Sequence, residues 1–171
     1  MPELVWLLPL KNLDDDARAI KLGEIAELNV TEEQQRFVGD PLRMVLIGLE
    51  EDSRHPYAID WNGAAVGVLT LQSGAATLAG WADDESVWLL RGFLIDRYRQ
   101  GRGLGTAAAA AAVRAAAHLT ATLGGAQAGV VLSVNNANPA GRAAYRNAGF
   151  TDHGQYLGGD AGPQRMLYRS F

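Results

Sequence analysis

"RYRQGRGLGTAAAAAAVRAAAHL", residues 97–119, sets Arg97, Arg99 and Arg102 among alternating glycines and runs directly into an alanine tract. It follows "WLLRGFLID" (88–96), a near-continuous apolar run of the kind that forms a strand covered on both faces. Alanine has the highest helix propensity, and Gly124-Gly125 supplies a stop, so the pattern predicts a helix from about Leu104 to Leu123. Leu104, Ala108, Ala111, Ala115 and Leu119 recur at helical spacing, and a face so small lets the helix sit close to a sheet. Strand, glycine turn and helix start, in that order, make a place for an anion. The first-turn amides have no intrahelical partners, and the helix dipole adds partial positive charge. Gly101, Gly103 and Gly105 remove side chains that would keep a phosphate from those amides. The spacing breaks the G-x-G-x-x-G pattern of dinucleotide folds, and the Gly-Lys-Ser/Thr of a Walker loop is absent. A phosphate cradle, a basic nucleic-acid patch and a plain glycine connection all stand as readings at this point.

The rest of the chain narrows them. A net charge of −4 over 171 residues argues against broad binding to nucleic acid, which needs an excess of lysine and arginine. With no cysteine, disulfides, thiolate metal sites and a catalytic thiol are excluded. The three histidines (55, 118 and 153) are too dispersed to suggest a metal site or a triad. No segment approaches the roughly 20 apolar residues of a membrane span, and "MPELVWLLPL" has no basic stretch before its apolar run; the cytoplasm is the expected location. Nothing reads as a linker, so residues 1–171 are expected to form one domain.

The order of elements is legible from punctuation. "ELVWLLPL" reads as a strand, and "DDARAIKLGEIAEL" and "DPLRMVLIGLEEDS" as two helices joined through "NVTEEQQRFVG". "PYAIDWNGAAVGVLTLQ" carries Asn62-Gly63 between two β-rich runs and predicts a tight hairpin. "AGVVLSVN" is a further buried strand. In "NPAGRAAYRNAGF", Asn138 is the N-cap, Pro139 the first helical position and Gly149 the residue just past the end. A final hairpin closes the chain. The expected class is α+β (mixed α/β), a mostly antiparallel sheet of six to seven strands flanked by about four helices.

Gln100-Gly101-Arg102-Gly103-Leu104-Gly105 matches the Q/R-x-x-G-x-G/A signature of the GNAT acetyltransferase superfamily, and Asn138 to Phe150 resembles that family's N-x-x-A-x-x-L-Y-x-x-x-G-F segment. Asn138, Tyr145, Gly149 and Phe150 coincide with it, while Gly141 and Ala144 stand where alanine and leucine are usual. "LNVTEEQQRFVGDP" also resembles bacterial spermine/spermidine (diamine) N-acetyltransferases, through Val30, Glu33, Gln34, Phe37 and Val38; Asp40-Pro41 departs from that pattern. The resemblance spans Leu4 to Phe171. It implies a GNAT fold and acetyl transfer from acetyl-coenzyme A (acetyl-CoA) to a primary amine, with a polyamine or similar small amine first in line. Alternatives are a protein N-terminus, an aminoglycoside, an amino-acid derivative, or a non-catalytic module that senses acyl-CoA. A homodimer is compatible with the family, though no interface is located.

By the same resemblance, the backbone of Phe93, Leu94 and Ile95 would bind the pantetheine arm and polarise the thioester. Gln100, Gly101, Arg102, Gly103, Leu104, Gly105 and Thr106 would hold the pyrophosphate. Asn138 would meet the pantetheine, and Tyr145 would be the general acid toward the thiolate. Some family members carry carboxylates on the long strand just before the cofactor contacts; Arg91 and Gly92 occupy those places, so no general base carries over. Asp96 reads equally as a loop cap. Glu33, then Glu27 and Glu24, are acceptor-site candidates, set against the ordinary alternative of solvated helix-face charges. Trp81, in "GWADDE", could line an acceptor pocket, and Asp83 to Glu85 could attract a cation, although an exposed loop is the plainer reading.

Overall fold

The structure, a computed structural model, describes residues 5–159 and 162–171. Seven strands form one sheet in the order β1-β2-β3-β4-β5-β7-β6. They are β1 (Trp6–Pro9), β2 (Arg54–Trp61), β3 (Ala64–Gln72), β4 (Trp88–Ile95), β5 (Gly129–Asn135), β6 (Thr151–Tyr156) and β7 (Gln164–Ser170). All neighbouring pairs are antiparallel except β4 with β5. The helices are α1 (Asp15–Ala26), α2 (Glu32–Phe37), α3 (Pro41–Glu50), α4 (Leu104–Leu123) and α5 (Pro139–Asn147). This is the mixed α/β class expected.

Local chemistry explains the boundaries. Asp14 caps α1 by accepting from the Ala17 amide at 2.8 Å, and Asp40 caps α3 by accepting from Arg43 at 2.8 Å ahead of Pro41. Asn62 and Gly63 both take positive φ, as a tight hairpin turn requires. One expectation needs correcting. The connection between the two expected helices contains α2, because Thr31 and Gln34 form a reciprocal capping box.

The sheet is covered on both faces. Ile25 of α1 and Val45 of α3 pack with Ala58, Val68 and Leu94 on one side. On the other, the alanines of α4 lie against Trp88, Leu90, Val130 and Leu132. Ala108, Ala109, Ala112 and Ala116 are fully buried, so the alanine tract is the sheet-facing surface of a close-packed helix. Arg114 and His118 share its exposed side.

Two glycines shape the centre of the sheet. Between Val68↔Leu94 and Thr70↔Arg91, three residues of β4 span the interval that two residues of β3 span, a bulge at Gly92 with φ +61. In β3, a Cβ on Gly67 would run into the carbonyl oxygen of Leu94. Gly67→Ala is therefore expected to cost about 2–3 kcal/mol by forcing β3 from β4, lowering Tm by roughly 4–12 °C; thermal unfolding followed by circular dichroism checks it.

Candidate active site

The ladder between β4 and β5 consists of two residue pairs, Trp88↔Val130 and Leu89↔Val131, and then ends. Beyond Leu89, β5 continues beside β7 while β4 continues beside β3. The sheet splits here into a wedge, and β4 from Leu90 onward has no ladder partner on its β5 side. Two clefts occupy the split.

The first, about 460 Å³, runs along the start of α4. Its walls include Phe93, Leu94 and Ile95 of β4, then Gln100, Gly101, Gly103, Leu104, Gly105 and Thr106, with Asn138 and Tyr145 opposite and Glu33, Gln34, Phe37 and Val38 from the α2 region. Gly101 and Gly103 both sit at φ +79, where only glycine is unstrained, and a Cβ on either would meet no protein atom within 4 Å. Gly103 is the N-cap of α4 and contributes no side-chain cap. The first bond of the helix in this turn, Ala107 N–H to the Gly103 carbonyl, comes after the amides of Leu104, Gly105 and Thr106. Open space in front of uncapped amides at a helix start fits a pyrophosphate. The residues present therefore suit the phosphate end of a coenzyme A.

Several side chains hold this turn. Ile95 is the hub: its carbonyl accepts from the side-chain amides of Gln34 at 2.8 Å and Gln100 at 3.1 Å. The Gln100 side chain thus ties the glycine turn back to β4. Asp96 is buried and accepts from the amides of Asn29 and Tyr98, both at 2.8 Å, which makes it the loop cap. Arg99 and Arg102 both place their guanidinium groups over the Trp61 ring, 5.5 and 5.7 Å from its centroid. Arg99 borders the cleft; Arg102 is exposed and its side chain lies outside the cleft wall.

Gln34 belongs to two structures at once, accepting from the Thr31 amide at 2.8 Å while donating to Ile95. Gln34→Ala is expected to cost about 1–2 kcal/mol and to raise the KM for acetyl-CoA several-fold. Gln34→Glu keeps the acceptor for Thr31 but turns a carboxylate on the Ile95 carbonyl, so the KM defect persists. Denaturant unfolding and initial rates separate the two effects.

The second cleft, about 260 Å³, opens on the other side of the wedge between β4, β5 and the start of β7, with Met44 of α3 and Leu78 at its edge. Phe37, Val38, Phe93, Asn138 and Tyr145 border both clefts, so the two meet there. Tyr145 is buried, with its ring edge-on to Phe93 at 5.6 Å and Phe150 at 5.9 Å. Burial pushes its phenol well above the ordinary tyrosine range, which keeps it protonated at neutral pH. Asn138 is positioned by its own helix: its side-chain oxygen accepts from the Gly141 amide at 3.0 Å.

Three acceptor candidates from the sequence are elsewhere. Glu24 accepts from Lys21 and from the Ala65 amide, both at 2.9 Å, and so ties α1 to β3. Glu27 is exposed next to the end of α1. Trp81 stacks on Tyr168 at 4.7 Å and donates to Ser86, away from both clefts. Asp83 folds its own loop by accepting from the amides of Glu85 and Ser86, and Asp84 accepts from Thr77. Glu33 remains at the first cleft. Arg91, Ser133, Asn135 and Gln164, which line the second cleft, were not assigned to a site from the sequence, because they converge from three strands.

Comparison with known proteins agrees with this geometry. In fold, the chain is similar to the aminoglycoside acetyltransferase AAC(6')-Ib bound to paromomycin and acetyl-CoA (TM-score 0.68, 18% identity, 98% of this chain and 92% of that one). It is similar to spermidine N-acetyltransferase from Vibrio cholerae in complex with CoA and spermine (TM-score 0.67, 13% identity, 97% and 95%). An acetyltransferase from Thermus thermophilus aligns over 99% of both chains (TM-score 0.63, 20% identity). Among curated protein sequences there is no match. The sequence profile of the acetyltransferase (GNAT) family matches residues 14–150, most of the chain and all of the wedge, the glycine turn and α5. The chain belongs to the GNAT acetyltransferase family, enzymes that use acetyl-CoA.

Proposed function

We propose that this enzyme transfers the acetyl group of acetyl-CoA to the primary amine of a small molecule that enters through the second cleft. The observation that carries the reading is the meeting of two clefts at Phe93, Asn138 and Tyr145. A cleft with a phosphate cradle and a smaller one without it suit two substrates of different chemistry. Only at the junction can an amine and a thioester approach to reacting distance.

Acetyl-CoA supplies the thioester carbonyl that the amine attacks. The C–N bond forms, the C–S bond breaks, and the thiolate needs a proton. Tyr145, protonated and at the junction, is placed to give it. The backbone of β4 at Phe93, on the side released from the β5 ladder, offers polar groups to the pantetheine arm and the developing oxyanion. Asn138 holds the same arm from α5. Gly101 to Thr106 receive the pyrophosphate. The amine must lose a proton, and Glu33 is the one carboxylate among the described residues that borders either cleft, so it takes that proton through water.

Small polyamines and aminoglycosides are the acceptor classes seen with the structural neighbours named above; the Val30–Val38 segment resembles the polyamine enzymes, and the wall of the second cleft decides which primary amine is taken. The test is acetyl-CoA turnover, read as thiol release, over a panel of small amines that includes spermidine and an aminoglycoside. Release at the acceptor-free background for every amine would overturn the proposal.

A further inference from the structure

Arg91 is the one charged side chain among the described residues that line the second cleft. Ser133, Asn135, Asn138, Tyr145 and Gln164 supply the remaining amide and hydroxyl side chains of its wall, all neutral. Arg91 is half-buried, and its Nη1 donates to the side-chain oxygen of Gln72 at 2.9 Å. Among the described residues no carboxylate lies within ion-pair distance of it. The charged groups that act on it are Arg54 and, more weakly, Glu51, which are ion-paired to each other at 2.8 Å. Burial and the like charge of Arg54 together hold the Arg91 guanidinium below its ordinary range, as expected of a cation with no anionic partner.

A partly desolvated guanidinium on a residue that lines a small cleft, with one nitrogen engaged by Gln72 and donors to spare, suits recognition of a planar anion. It also repels a second ammonium group. Resting on the acetyl-transfer reading above, we propose that the acceptor is an amine that also carries a carboxylate, with Arg91 as the residue that selects it. The amine reaches the junction at Phe93 and Tyr145, and the carboxylate lies toward Arg91. One residue, the bulged Gly92, lies between Phe93 and Arg91, so the amine and carboxylate places are neighbours along β4. Neighbouring places suit a short ω-amino acid, and a series of three to six carbons brackets its length.

Three probes of equal length isolate the charge: 5-aminopentanoate, its carboxamide, and 1,5-diaminopentane, each assayed with acetyl-CoA alongside the three- to six-carbon homologues and spermidine. The expected result is a kcat/KM at least tenfold higher for the carboxylate than for the carboxamide or the diamine. In Arg91→Gln, which keeps a hydrogen-bonding amide beside Gln72, the preference should shrink to within about threefold. In Arg91→Glu the order should invert in favour of the diamine. Unchanged KM for acetyl-CoA and unchanged circular dichroism establish that the variants fold, and if Arg91→Glu does not, Arg91→Gln decides alone. Turnover of the diamine or spermidine at or above that of the carboxylate overturns the Arg91 inference and leaves the transferase reading standing. So does a preference that survives Arg91→Gln. No turnover of any probe overturns both.

Discussion

Tyr145→Phe is expected to lower kcat by about 10²-fold or more while leaving the KM for acetyl-CoA within about threefold. The substitution removes one oxygen and little else. The ring contacts to Phe93 and Phe150 that seat the side chain persist, so the fold and the cleft wall are retained. What disappears is a proton donor at the junction of the two clefts. Because burial raises the phenol's pKa, the wild-type enzyme should show no loss of kcat from tyrosine ionisation up to about pH 10, its unperturbed value. A Tyr145→Phe variant with wild-type kcat across the pH range would remove this residue from the chemistry.

Gly103→Val should act on the other half of the reaction, raising the KM for acetyl-CoA at least tenfold with kcat changed only a few-fold. A β-branched residue at φ +79 is strained, so the turn must rearrange and the amides of Leu104 to Thr106 lose their alignment. The protein itself has room, because a Cβ at this position meets nothing within 4 Å; the stability loss should stay near the cost of the backbone conformation, about 1–2 kcal/mol. Gly105→Ala separates folding from binding. A Cβ there would touch Ala144 at an ordinary 3.8 Å, so the fold tolerates it, and any rise in KM reports how closely the coenzyme approaches the backbone. Unchanged KM in Gly103→Val would argue that the pyrophosphate lies elsewhere.

The parts of the molecule that were legible from the sequence are those written in local chemistry. The bounds of α4 follow from a glycine turn at one end, Gly124 at the other and alanine between. Asn62-Gly63 announces the β2–β3 hairpin, and Asn138-Pro139 announces α5, because each pair specifies a backbone conformation by itself. The first cleft was legible for the same reason, since most of its wall is the glycine turn and the α5 segment. Helix α2 was legible in principle: Thr31 and Gln34 stand at capping-box spacing, but a helix of six residues carries too little hydrophobic period to declare itself.

The second cleft was not legible. It exists because β4 bulges at Gly92 and leaves β5 after Leu89, and a ladder that stops short leaves no mark on either strand's own sequence. Arg91 and Gly92 were noticed only as the places where a strand carboxylate was missing. The structure makes them the rim of a cavity and the hinge of a bulge. That Glu24 stands outside both clefts was hidden for a related reason. Its partners, Lys21 and the Ala65 amide, include one 41 residues away in sequence.

The split between β4 and β5 gives the enzyme a passage with two mouths, and traffic through it has an order of its own. On the reading proposed above, donor and acceptor arrive by different doors and meet at a shared wall, so neither has to leave before the other comes in. On that reading both are aboard at once when the acetyl group moves, and initial-rate patterns should be those of a ternary complex. The spent coenzyme and the acetylated product would then each depart by the door through which its parent came, neither blocking the other's exit.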